Sequence, residues 1–328
     1  LDDRYSPDLF KLCDVRKVSY APEDGLNQLQ KLTRDVIYNR TGSYYSNIII
    51  TNGATNAINC ILRCEANKPL DPVSFVHTNQ YTYPFYDDMI KMSGLNRVSN
   101  KPSMKILSGI ENKSIKLIDS PSNPQGNIFD KIGNEDRYIW DAVYHNNIYM
   151  QQESTHAGRP LHRYMVGSYS KLLGLTGSRI GWIATNNVFT HASVSDYVLK
   201  DLATVSVPSQ QLLINILETI DLHQFMKDGN NLLNLNREYM QQIEYLFDYQ
   251  PVNKNGMFYC ANADDRVINI LEKCGINYVE LDGNYIRLSL GQTPVMIKKA
   301  VNTLIREDQS WRMIIQNQIL ITCLMIYF

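Results

Sequence analysis

Between about residues 44 and 184, short apolar runs alternate with longer stretches of helical periodicity. The runs at 47–50, 73–77, 116–119, 138–143, 165–168 and 181–184 predict strands, with helices at 55–66 and 83–92 among them. Alternation of this kind implies right-handed crossovers and a largely parallel sheet, with ligands at the carboxyl ends of the strands. Residues 210–247 read as long helix, broken near Asp228-Gly229-Asn230. From Pro251 the texture shortens. Strands are predicted at 256–260 and 285–290, and an amphipathic helix at 294–305. The fold class expected is α/β, with a large domain over 41–224 and a smaller α+β domain over 225–328. Residues 1–40 are expected to dock on the smaller domain or on a partner subunit. No internal repeat or low-complexity linker interrupts the chain.

Composition narrows this picture. With 328 residues, 44% hydrophobic and 20% charged, the chain is long enough for one large core or two unequal ones. A formal net charge of −1 argues against nucleic acid or a membrane surface recruited by bulk electrostatics. The six cysteines form no CxxC pair and no zinc-like spacing with histidine, so no metal is expected and a reducing, cytoplasmic setting is the simpler inference. The first residues are polar and acidic, unlike a signal peptide. The apolar run 319–328 is too short for a bilayer span, which needs roughly 20 residues.

The chemistry concentrates in Ser168-Tyr169-Ser170-Lys171 and the Gly-containing turn that follows it to Arg179-Ile180-Gly181. An amine beside hydroxyls and a guanidinium suits a phosphorylated aldehyde: the lysine condenses with the carbonyl, and the other groups hold the phosphate. The bland alternative is a surface lysine before an ordinary turn. Thr51-Asn52-Gly53-Ala54-Thr55 follows a strand and opens a helix, so its N–H groups could cradle the same phosphate. Capping by Thr51 or Thr55 is the alternative. Asn123, in an Asn-Pro turn after a strand, could donate to a phenolate oxygen. Asp141 could hold a protonated ring nitrogen, and Tyr144 could donate to the ring oxygen; a helix cap and a core residue are their plainer readings. Tyr83 offers a face to a planar ring or simply packs. Arg287 offers a fork for a substrate carboxylate or a surface ion pair.

Taken in order, these motifs resemble the class I/II aminotransferases, the fold-type I pyridoxal-5′-phosphate (PLP) enzymes. The signature is a hydroxyl residue, any residue, Ser-Lys, seven residues, then Arg-x-Gly, read here from Ser168 to Gly181. Gly53-Ala54-Thr55, Tyr83, Asn123-Pro124-x-Gly126 and Asp141-x-x-Tyr144 precede it in family order. The variants Ser-Pro-x-Asn-Pro-x-Gly and Gly-Ser-Arg-Ile-Gly-Trp look closest to the alliinase and tryptophan-aminotransferase branch. The resemblance implies a large domain with a mostly parallel sheet flanked by helices, a smaller α+β domain, PLP as cofactor and a homodimer. It assigns the Schiff base and proton movement to Lys171, the pyridine nitrogen to Asp141, and the ring oxygen to Asn123 and Tyr144. Ala54, Thr55, Ser168, Ser170 and Arg179 would hold the phosphate, with Tyr20 reaching across the dimer. Tyr83 would stack on the ring, and Arg287 would bind the α-carboxylate, assisted by Asn123.

The implied reaction moves an amino group from an L-amino acid to a 2-oxo acid. An alliinase-like carbon–sulfur lyase uses the same cofactor set, and a non-catalytic module on the same fold is the third reading. Two segments depart from the family pattern: residues 1–17 do not match the substrate-gating segment, and the tail 309–328 is unusually apolar.

Overall fold

The computed structural model describes residues 19–99, 113–128, 137–145, 163–247, 256–281 and 284–326, with side chains in the last helix as far as 313. The departing segment 1–17 lies outside the described residues, as do the side chains of most of the apolar tail. The chain divides between Met226 and Lys227 into two compact units.

The first unit is built on seven strands: β1 (Asn47–Thr51), β2 (Phe75–Thr78), β3 (Asn96–Ser99), β4 (Ser114–Asp119), β5 (Tyr138–Asp141), β6 (Tyr164–Ser168) and β7 (Gly181–Thr185). Their order is β1-β7-β6-β5-β4-β2-β3. The pairings from β3 through β2, β4 and β5 to β6 are parallel. β7 runs antiparallel to both β6 and β1. The mostly parallel α/β sheet expected from the sequence is therefore present, with one reversed strand.

Helices cover both faces. They are α1 (Asn27–Thr41), α2 (Gly53–Ala66), α3 (Tyr86–Met92), the short α4 (Tyr169–Leu172), α5 (Val188–Leu202) and α6 (Val207–Thr219). The two-residue period of a strand divides the core. Ile49, Leu117, Ile139, Val166 and Ile183 pack with α2, α3 and α5. Ile48, Ile50, Trp140, Met165 and Trp182 pack with α1, α4 and α6 on the opposite face. Each such side chain contributes about 1.5–3 kcal/mol by leaving water, so the register of every central strand is strongly fixed. Leu29 and Ile37 of α1 are fully buried in the second of these clusters. From residue 27, then, the leading segment is part of the large unit's core.

Helix α7 (Leu222–Gln241) starts in the first unit and continues into the second. The long helix predicted over 210–247 is broken, but at Ile220–Asp221 and not at Gly229. Ile220 is extended, and Asp221 caps α7 by accepting the Gln224 N–H at 3.0 Å. Gly229 stays inside the helix, a placement that costs only about 1 kcal/mol relative to alanine. The second unit adds an antiparallel sheet of β8 (Phe258–Asn262), β10 (Tyr285–Ser289) and β9 (Val279–Leu281), with β10 central. Helices α8 (Asp265–Lys273) and α9 (Pro294–Ile326) pack on each other. α9 runs far beyond the predicted 294–305. Among the described residues no helix is long and apolar enough to cross a membrane.

Candidate functional site

Of the residues singled out in the first unit, Asn123, Asp141, Tyr144, Ser168, Ser170 and Lys171 lie at or just past the carboxyl ends of β4, β5 and β6, and Ala54 and Thr55 open α2. Lys171 is half-buried in α4, the single turn that leaves β6. Ser168 caps that turn: its hydroxyl accepts the Ser170 N–H at 3.1 Å and donates to the Ile180 carbonyl at 3.1 Å. The Ser168 hydroxyl hydrogen thus ties the turn to Ile180, just ahead of β7. The buried Ser170 Oγ, by contrast, has no hydrogen-bond partner among the described residues. A buried hydroxyl left unpaired costs about 1–3 kcal/mol and in native proteins marks an absent ligand or water.

Opposite this turn, α2 begins at Gly53. Its N-cap residue, Asn52, makes no side-chain capping bond, and the Thr51 hydroxyl donates to the Gly53 carbonyl at 3.1 Å. The Thr51 hydroxyl is therefore turned to a carbonyl and not to the helix N–H groups; the first-turn N–H groups, Ala54 and Thr55 among them, have no partner within the helix. Gly53 has φ +80°, and a Cβ there would stand 2.8 Å from Arg179 Nη2. A Cβ on Gly181 would stand 2.7 Å from the Ala54 nitrogen and 2.5 Å from the Gly53 carbonyl carbon. Two glycines thus let the start of α2 and the 179–181 stretch close on one another. Arg179, itself at φ 54°, donates through Nη1 to the Thr176 carbonyl at 3.2 Å and turns its other amino group toward the helix start. Helix N–H groups with a guanidinium beside them form an anion site.

One strand away, Asp141 ends β5, buried. It accepts the Tyr86 hydroxyl at 2.6 Å and the Val143 N–H at 3.0 Å. Burial pushes its carboxyl above the usual range, opposed by those two hydrogen bonds. Asp119 ends β4 directly across from Asp141, and its Oδ2 accepts the Asn123 N–H at 2.8 Å. Burial and then the neighbouring Asp141 charge push Asp119 up to about 7, with the Asn123 N–H opposing. Asn123 is buried in the loop after β4, and Tyr144 is half-buried just past Asp141. Tyr83 is partly buried against the α2–α3 core, its ring 5.8 Å from that of Tyr86 and edge-on to it. Burial likewise raises the Tyr86 hydroxyl well above its ordinary value, with the Asp141 charge next.

Tyr86 and Asp119 were not among the residues chosen from the sequence. Their roles come from adjacency across elements, although Asp119 and Asp141 share one signal, an acidic residue closing an apolar strand. Tyr20 stands 86% exposed at the start of the described chain. Arg287 lies on β10 of the second unit with its guanidinium 4.4 Å from the centre of the Phe258 ring. Among the described residues no cluster of His, Cys, Asp or Glu could hold a metal ion.

Residues 16–304 match the sequence model of the family described as aminotransferase class I and II. The chain belongs to this family. It is 24% identical over 252 residues to a histidinol-phosphate aminotransferase of Methanosphaera stadtmanae, covering 66% of this chain and 65% of that one. It is 25% identical over 210 residues to the tryptophan aminotransferase-related protein 1 of Oryza sativa subsp. japonica, covering 63% and 46%. The chain thus spans about half to two thirds of the length of these curated relatives. An aromatic aminotransferase from Pyrococcus horikoshii OT3 shares the fold, with a TM-score of 0.72 at 15% identity over 90% of this chain and 88% of that one. Class I and II aminotransferases use PLP, and the residues here fit it. The unpaired Ser170 hydroxyl, the glycine-lined start of α2 and Arg179 suit a phosphate, and the buried Asp141 suits a cationic ring nitrogen.

Proposed function

We propose that this chain is a PLP-dependent aminotransferase that carries an amino group from an L-amino acid to a 2-oxo acid through Lys171. The observation that carries the reading is the anion cradle, with the Arg179 guanidinium against Gly53 and the unpaired Ser170 hydroxyl one residue from Lys171. When bound, PLP supplies an aldehyde that receives nitrogen and a ring that withdraws electrons from the substrate α-carbon. The chain supplies position and charge. The first-turn N–H groups of α2 at Ala54 and Thr55, with Ser170 and Arg179, hold the phosphate; Ser168 shapes the turn that presents Ser170 and Lys171. Asp141 keeps the ring nitrogen protonated, and Tyr86 keeps Asp141 in place. Asn123 and Tyr144 donate to the ring oxygen while Tyr83 packs against the ring. The Lys171 amine takes a proton from one substrate carbon and returns it elsewhere, and Arg287 binds the substrate carboxylate.

We also infer a homodimer, in which the exposed Tyr20 reaches the phosphate of the partner subunit. A reducing compartment such as the cytoplasm suits the four free cysteines among the described residues. The test is incubation of the PLP-loaded protein with a panel of amino acids and 2-oxoglutarate or pyruvate. Appearance of the new amino acid is expected. Ammonia and pyruvate released from cysteine derivatives without an acceptor would make it a lyase instead, and no turnover with PLP bound would make it a binding module.

A further inference from the structure

Asp119 and Asp141 close neighbouring parallel strands in direct register, so both side chains leave the sheet on the face covered by α2 and α3. They are 2% and 7% exposed, too buried for water to screen one from the other. Asp141 is fully engaged by Tyr86 and Val143. Asp119 is less fully engaged: Oδ2 takes the Asn123 N–H, while the buried Oδ1 has no hydrogen bond of good geometry among the described residues, the Asn79 side chain being the remaining donor beside the carboxyl. The other titratable groups around the pair are the hydroxyls of Tyr86 on α3 and Tyr144 after β5; the Asn79 amide beyond β2 does not titrate and, as a donor to Asp119, opposes the rise that burial causes. Two carboxylates buried side by side do not both ionise readily, and the pair titrates as a unit.

We propose that Asp119 is a positioning residue that holds the one proton of this carboxyl pair, leaving Asp141 as the ionised member, while its Oδ2 fixes the loop that carries Asn123. The inference rests on the PLP reading of the site. It adds that the pair offers a single negative charge to the single positive charge of a protonated ring nitrogen. It also adds that the Asn123 amide is aimed by the residue that carries the proton. Asp119→Asn keeps the shape and the carbonyl acceptor but cannot ionise. Asp119→Ala removes the loop anchor as well.

The experiment compares melting temperatures of the PLP-free protein and its two variants from pH 5 to 9, and measures PLP affinity for each at pH 7.5. Expected is an Asp119→Asn protein that melts near the parent at pH 5 and several degrees above it at pH 8. Its PLP affinity stays within about threefold of the parent, while Asp119→Ala loses roughly tenfold or more, about 1.4 kcal/mol. A difference between Asn variant and parent that does not grow with pH overturns the proposal. So does an Asn variant that fails to fold, since a neutral acid would tolerate its neutral isostere. If the parent binds no PLP at all, the cofactor reading fails, while the melting curves still decide where the proton lies.

Discussion

Arg179 Nη2 lies so close to Gly53 that a Cβ at residue 53 would stand 2.8 Å from it, closer than real Cβ contacts come. The Gly-Ala-Thr start of α2 and the arginine that ends the lysine turn are therefore one structure. Gly53→Ala must push the guanidinium away and also hold a left-handed φ of +80°, which costs roughly 1–2 kcal/mol. The variant is expected to bind PLP about tenfold or more weakly and to melt about 2–4 °C lower for each kcal/mol lost. Equilibrium dialysis and differential scanning calorimetry check the two effects separately.

Ser170→Ala should move two quantities in opposite directions. Without ligand, the substitution removes a buried hydroxyl that has no partner, so the free protein should be unchanged or up to about 1 kcal/mol more stable. With PLP, it removes a phosphate donor, and affinity should fall several-fold. Chemical denaturation with and without PLP reads both. A variant destabilised in the free state would mean that Ser170 has a structural partner.

The strand framework was legible because its members are short apolar runs, several of them buried throughout. β3 was not: Asn96–Ser99 is an edge strand with polar, half-exposed residues, and nothing in its own sequence demands a sheet. The α6–α7 break falls elsewhere than expected because glycine is the louder local signal, while the Asp221 cap sets the start of a helix whose Met226 and Leu233, on either side of Gly229, are both buried. Lys171, Arg179 and Asp141 stand out in the sequence as candidates, by spacing and by the family resemblance. Tyr86, Asp119 and the close pass of Gly181 over Gly53 do not, because strand register and helix placement bring them together.

Asp141 also makes a statement about pH. Its folded-state carboxyl is raised by burial, so its contribution to the stability of the free protein is full below the ordinary aspartate range, near 4, and is lost as pH rises through the folded value. Asp141→Asn should therefore raise the melting temperature of the PLP-free protein at pH 8 more than at pH 5. In the loaded enzyme the ring nitrogen loses its counter-charge, and kcat should fall roughly 10²-fold or more. Steady-state kinetics and melting curves on the same preparation check this pairing of gain and loss.

The most direct measurement concerns the Lys171 amine. The protein is loaded with PLP, treated with borohydride, digested and mapped by mass spectrometry, with Lys171→Ala carried in parallel. One pyridoxyl phosphate group on the peptide holding Lys171, and none fixed in the variant, is the expected result. A label on another lysine, or equal labelling of the variant, would contradict the assignment of that amine and, with it, the reading of the cradle around it.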